Sequence, residues 1–181
     1  MQYPTSKVQN VVSQPAQTLL PKTLPDNLVS MLNSAIGEEY AAHYYYRHAS
    51  NWCQGVGYTK AAAFFASEAS AELEHAEGIQ KYLVDWNCTP AIPPIKFSGE
   101  FASLIDVVNK AYDLEFDLGE KYNTMSAEIF NLHLPTFDFL QHYRTIQTES
   151  IAEFSDLLNA AQLIDPSNKL DLLHYEERYF G

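Results

Sequence analysis

Residues 59–86, TKAAAFFASEASAELEHAEGIQKYLVDW, repeat at a helical period rather than a strand period. Phe65, Glu68, Glu72, His75, Ile79, Tyr82 and Trp86 recur at alternating steps of three and four, which marks one face of a helix. Glu72 and His75 stand three apart and project together from that face. The face is predicted to be the buried one. Charged groups enter a core only when they are paired or bound to metal. A carboxylate and an imidazole at this spacing inside a helical bundle are half of a di-iron carboxylate site.

The stretches on either side read as further helices. After Pro25, Asp26 is the expected N-cap of a helix running to about Cys53, with Leu32, Ala35, Glu39, Ala42, Tyr46, Ala49 and Cys53 inward. Gly55 and Gly57 break the chain before the helix at 59–86. Beyond it, Pro90, Pro93 and Pro94 exclude helix from a long connection. Ser103 with Asp106 forms a capping box for a third helix, whose stripe is Leu104, Val108, Ala111, Glu115, Leu118, Tyr122, Met125 and Ile129. Pro135 suits the first turn of a fourth, with Leu140, Tyr143, Gln147, Ser150, Phe154, Leu157 and Ala161 inward. Asp165-Pro166-Ser167 stops it, and 168–180 form a short terminal helix.

Helices of roughly 40 Å bury their stripes best against one another. The expected architecture is all-α: a four-helix bundle over 25–181, with one long crossover between helices two and three and a short C-terminal fifth helix. Residues 1–24 hold Pro4, Pro15 and Pro21 without helical period, and are expected to be an extended arm.

The 181 residues fit one domain. With 23 acidic against 11 basic side chains, the net charge of −12 argues against nucleic acid or an anionic membrane as partner. Cys53 and Cys88 lack metal spacing and are expected to be reduced thiols, which points to a cytoplasmic setting. No apolar run reaches transmembrane length, and no apolar segment near the N-terminus resembles a secretory signal.

Each long stripe carries polar groups near its middle: Glu39 and Tyr46, Glu72 and His75, Glu115 and Tyr122, and Gln147. Three buried carboxylates without a cation cost several kcal/mol apiece, and two divalent ions neutralise most of that charge. Carboxylate and imidazole ligands suit iron, manganese or zinc. Glu68 lies a turn from this centre and is read as a bundle-end or interface residue, and Tyr122 as an ordinary core tyrosine. His43, His48, His133 and His142 are expected to be solvated or interfacial. Tyr44, Tyr45 and Tyr46 surround the first helix with aromatics, which suggests a partner on its outer face.

In these residues the chain resembles the ferritin family, specifically non-haem ferritins of bacterial type. The likeness spans residues 27–180, through GEEYAAHYYYRHASNWC, AAAFFASEASAELEHAEGIQKYL, YDLEFDLGEKYN, LPTFDFLQHYRTIQTES and LLHYEERYF. It implies a ferroxidase centre in which Glu39 and His75 hold one iron, Glu115 holds a second and Glu72 bridges them. Gln147 matches the family's glutamine beside the second iron. Tyr46 matches its tyrosine that supplies an electron during oxygen reduction. No haem is implied, and the resemblance implies a shell of 24 subunits. Three features depart from the pattern. Ser150 replaces a further carboxylate of helix four. Ala71 and Ile146 replace acids of a third iron site, leaving Glu149. Phe137 and Leu140 occupy places where animal ferritins line a channel with acids. Glu74 and Glu77 fall outside the core stripe, where the family's mineral-nucleating acids lie.

The expected function is iron storage with ferroxidase activity on Fe(II) and dioxygen or peroxide. The alternative is a non-storing di-iron oxidase or peroxidase of rubrerythrin or bacterioferritin type. That class carries a second Glu-x-x-His in helix four, where this chain reads Gln147, Thr148, Glu149, Ser150. A non-catalytic shell subunit is opposed by the intact ligand set, and a DNA-protecting miniferritin by the intrabundle pattern and the acidic charge.

Overall fold

In the computed structural model, residues 20–94 and 99–181 are described, and they form five helices: α1 Asp26–Val56, α2 Thr59–Asp85, α3 Leu104–Ile129, α4 Leu134–Ala161 and α5 Lys169–Tyr179. There is no strand among the described residues. The first four helices pair as α1 with α2 and α3 with α4, and α5 closes one end. Most of the expected N-terminal arm, residues 1–19, lies outside the described residues. Leu24, at its end, is buried in the bundle.

Local chemistry sets the boundaries. α1 runs one turn past Cys53 and stops at Gly57, whose φ of 100° is the left-handed conformation that glycine adopts without strain. Asp26 is not the N-cap: Pro25 takes that position, Asp26 is the first helical residue, and no side chain caps the end. Ser103 does cap α3, accepting from the Asp106 amide at 3.1 Å, while Asp106 accepts from Ala102 at 2.9 Å. α4 is capped by His133, whose Nδ1 accepts from the Thr136 amide at 3.3 Å. His133 is therefore a capping residue, half-buried at the start of α4.

The described ends of the crossover are tied to α1. Ala91 donates to Asn33 at 2.8 Å, and His48 bonds the Gly99 carbonyl at 3.0 Å. Pro93 packs so closely on Gly37 that a Cβ there would sit 2.9 Å from the proline ring. His43, half-buried, is bonded to the Ala69 carbonyl, so neither His43 nor His48 is free at the surface. Tyr45 is buried within its own chain, donating to the Val107 carbonyl at 2.6 Å and packing on Phe101. Of the three consecutive tyrosines only Tyr44 faces outward, and Tyr45 and Tyr46 need no outside partner.

The expected stripes of α1, α3 and α4 are buried, except that Met125, Ser150 and Ala161 are half-buried. In α2 the stripe is rotated. Its buried seam is Ala61, Ala62, Phe65, Ala69, Glu72, Ala76, Ile79 and Leu83. Glu68, His75, Tyr82 and Trp86 lie half-buried along its flank.

The core falls into two apolar clusters. One is aromatic, with Tyr45, Phe65, Phe101, Phe154, Tyr175 and Phe180. The other is largely aliphatic, with Leu28, Leu32, Ile36, Ile79, Leu83 and Leu140. Between the two lie the buried polar groups Glu39, Glu72, Glu115 and Gln147.

Candidate metal centre

The polar layer is supplied by all four long helices: Glu39 from α1, Glu72 and His75 from α2, Glu115 from α3 and Gln147 from α4. Glu39, Glu72, Glu115 and Gln147 are at most 2% exposed. Glu39, Glu72 and His75 each offer a ligand atom, and these three atoms lie within 4.8 Å of one another. His75 Nδ1 stands 3.2 Å from Glu72 Oε2 and 3.6 Å from Glu39 Oε2, the second an ion-pair distance rather than a hydrogen bond. Glu115 is outside that tight trio. It is anchored on the opposite side, where Tyr46 donates to its Oε1 and Gln147 also interacts with it.

Three buried acceptors have no hydrogen-bond partner: Glu39 Oε2, Glu115 Oε2 and Gln147 Oε1. Buried polar atoms are nearly always paired, and an orphan asks for an explanation. Three orphans from different helices, two of them on carboxylates, fit divalent cations as their missing partners. The oxygen and imidazole donor set suits Fe(II), Mn(II) or Zn(II).

The electrostatics carry the same strain. Burial, more than any neighbour, pushes Glu72 well above the usual carboxylate range, and Glu39 and Glu115 add to it against the bond from His75. Burial raises Glu115 to about 7, opposed by the Tyr46 bond and reinforced by Glu39. Burial alone drives the His75 imidazole down, but the Glu39 and Glu72 carboxylates outweigh it and lift the group to about 10. A cation in the layer replaces protons as the source of positive charge.

Tyr122 is more than an ordinary core side chain, because its phenol donates to Glu39 Oε1. The signal was present in the sequence as a repeated spacing: Tyr46 follows Glu39 by seven residues, and Tyr122 follows Glu115 by seven. Tyr143, inward on α4 as expected, also braces α2. It donates to the His75 carbonyl at 3.2 Å over Gly78, where any Cβ would meet its hydroxyl at 2.7 Å. Glu68 sits beside the centre, raised to about 7 by burial and by Glu153, with His75 acting to lower it.

Residues 29–164 match the family model described as Ferritin: Ferritin-like domain. A bacterial non-heme ferritin of Campylobacter jejuni is 31% identical over 143 residues, covering 78% of this chain and 86% of that protein. A bacterial non-heme ferritin of Escherichia coli is 28% identical over 148 residues, covering 81% and 90%. Among solved structures, an open pore ferritin from the archaeon Archaeoglobus fulgidus superposes with a TM-score of 0.82 at 19% identity, over 87% of this chain and 96% of that one.

Proposed function

The chain belongs to the ferritin family and is of the bacterial non-haem type, and from that premise we propose that it oxidises Fe(II) with dioxygen at the centre of its bundle and stores the Fe(III) as mineral inside a shell of its own copies. Fe(II) is the substrate. Glu39 and His75 hold one ion, Glu115 holds the second, and Glu72 bridges them. Gln147 sits beside the second ion and Tyr46 supplies an electron.

The observation that carries this reading is the layer itself: acids from three helices, shut away from water between two apolar clusters, with oxygens on Glu39 and Glu115 that lack a hydrogen-bond partner. Such a layer is costly unless cations occupy it. The chain's contribution to chemistry is placement. Tyr46 and Tyr122 orient one carboxylate each, and Tyr143 fixes the backbone behind His75, the kind of support that tunes a metal ligand.

A closed shell of 24 subunits and a cytoplasmic location complete the reading. It is supported by the similarity to ferritins over most of their length. No described helix is long and apolar enough to cross a membrane.

Two measurements test it. Iron retained per subunit after aerobic Fe(II) loading and size exclusion is expected far above the two ions one bundle can hold, co-eluting with a large particle. Retention of only two identifies a non-storing di-iron oxidase instead. The double substitution Glu72→Ala/His75→Ala is expected to abolish rapid Fe(II) oxidation with the helical fold intact. Wild-type oxidation by that variant would refute the assigned centre.

A further inference from the structure

Two tyrosines occupy matched positions around the centre. Each follows a layer glutamate by seven residues, Tyr46 on α1 and Tyr122 on α3, and each phenol crosses to the other helix's acid. Tyr46 donates to Glu115 and Tyr122 donates to Glu39. Both rings are essentially buried, at 0% and 1% exposure. The pair is a local pseudo-twofold arrangement in which each side of the centre has one oxidisable ring bonded to one ligand acid. We infer that Tyr122 is a second redox-active tyrosine of this centre, giving one electron to dioxygen reduction while its proton passes to Glu39. The inference rests on the ferroxidase reading above.

The electron count gives the second tyrosine its purpose. Reduction of dioxygen to two waters takes four electrons and four protons. Two Fe(II) give two electrons, which alone stop at hydrogen peroxide. Tyr46 and Tyr122 give one electron each, their two protons pass through Glu115 and Glu39 to the reduced oxygen, and solvent gives the other two protons. The products are two Fe(III), two neutral tyrosyl radicals and two waters. Each radical is then refilled by a further Fe(II) and a proton, so the full cycle oxidises four Fe(II) per dioxygen.

The surroundings of Tyr122 suit that role. Oxidising a phenol releases its proton, and for a ring buried away from bulk solvent a positioned acceptor avoids an unsolvated cation. Glu39 is that acceptor. A route for refilling also starts at this ring. Tyr122 is stacked on Tyr143 with centroids 5.4 Å apart and planes at 22°. Tyr143 packs on Phe139 at 5.3 Å, Phe139 stacks on Tyr82 at 3.9 Å, and Tyr82 neighbours Trp86 at 6.4 Å. Trp86 is half-buried at the end of α2, so a continuous run of rings joins the centre to the surface.

A tyrosine that merely orients Glu39 predicts no radical, and that separates the two roles. The full chain, mixed with two Fe(II) per subunit and dioxygen, is freeze-quenched and read by electron paramagnetic resonance. Tyr46→Phe, which leaves Tyr122 untouched, is expected to retain a tyrosyl signal, and Tyr46→Phe/Tyr122→Phe is expected to have none. With Fe(II) in excess, so that the radicals are refilled, Tyr122→Phe alone is expected to lower the iron oxidised per dioxygen from four toward two and to release hydrogen peroxide. Complete loss of the radical in Tyr46→Phe, with wild-type stoichiometry in Tyr122→Phe, overturns the assignment and leaves the ferroxidase reading standing. A wild-type protein that does not oxidise Fe(II) rapidly overturns both.

Discussion

A carboxyl group withdrawn from water beside other acids keeps its proton to higher pH than in solution, and Glu68 is such a group at the edge of the polar layer. Burial and then Glu153 raise it from the ordinary 4.5 to about 7. Its native pKa is above its unfolded one, so the native state binds the extra proton in between. Stability therefore falls as pH rises from about 5 to about 8. Glu68→Gln is expected to flatten that slope and to raise the melting temperature of chelated protein at about pH 8. The gain is roughly 1 kcal/mol once solvent screening of this half-buried group is allowed for. Calorimetry across that pH range checks it, and an unchanged slope refutes the assigned burial cost. Cys53 makes a second residue-level test. It is fully buried, and its thiol is pushed up to about 12 by burial and then by Glu176. Because the thiolate is the reactive form, Cys53 is expected to resist a disulfide reagent in the native protein and to react only on unfolding. Rapid native labelling at Cys53, located by peptide mapping, counts against this packing.

At the scale of whole helices, the least local feature is the start of α2, which has no side-chain cap from its own neighbourhood. The cap arrives from α5. Glu176 Oε1 accepts from the amides of Lys60 at 2.6 Å and Ala61 at 3.1 Å. Tyr175 donates to the Leu157 carbonyl at 2.8 Å, and Phe180 packs on Phe64 and Phe65. Glu176→Ala removes a helix cap and the tie between α5 and the bundle, and is expected to cost about 1–2 kcal/mol. Glu177→Ala, which loses only the exposed pair with Lys60, is expected to change little. Equal melting temperatures for the two variants would deny Glu176 its capping role. Contacts of this kind explain what was legible beforehand. The stripe of α3 could be read because large apolar residues mark it, and that of α1 because Leu32 and Tyr46 fix the phase of its alanines. In α2 the seam is carried by Ala61, Ala62, Ala69 and Ala76, whose small side chains give a weak hydrophobic signal. The larger Tyr82 and Trp86 on the flank drew the expected stripe toward them. Ser103 was readable as a cap because its partner is three residues away. Glu176 was not, because its partners are more than a hundred residues away. At the centre, residue types and spacing pointed to a metal-binding layer, but the crossing of Tyr122 to Glu39 depends on how α1 and α3 pack.

Taken as one molecule, the bundle has apolar clusters on both sides of a layer that opposes them. Each cluster buries large side chains from several helices, so the fold tolerates three acids that are poorly matched without a cation. This division predicts opposite responses to two changes. A redox-inert divalent ion such as Zn(II), which accepts the same oxygen and imidazole donors, is expected to stabilise the protein through linkage. The gain is about 2.7 kcal/mol at a hundredfold excess over its dissociation constant, and a chelator reverses it. Glu39→Gln/Glu115→Gln removes two charges while keeping an acceptor for Tyr122 and for Tyr46. Without metal this variant is expected to melt at or above the wild-type temperature, because uncompensated buried charge is gone, and its response to Zn(II) is expected to vanish. Both effects are read by calorimetry at one fixed protein concentration, since association also shifts melting. A variant that melts lower without metal yet keeps the full zinc response would show that these carboxylates serve packing and that the ions bind elsewhere. A variant that gains stability and loses the response ties the strain in the layer to its capacity for metal, because the same two carboxylates account for both.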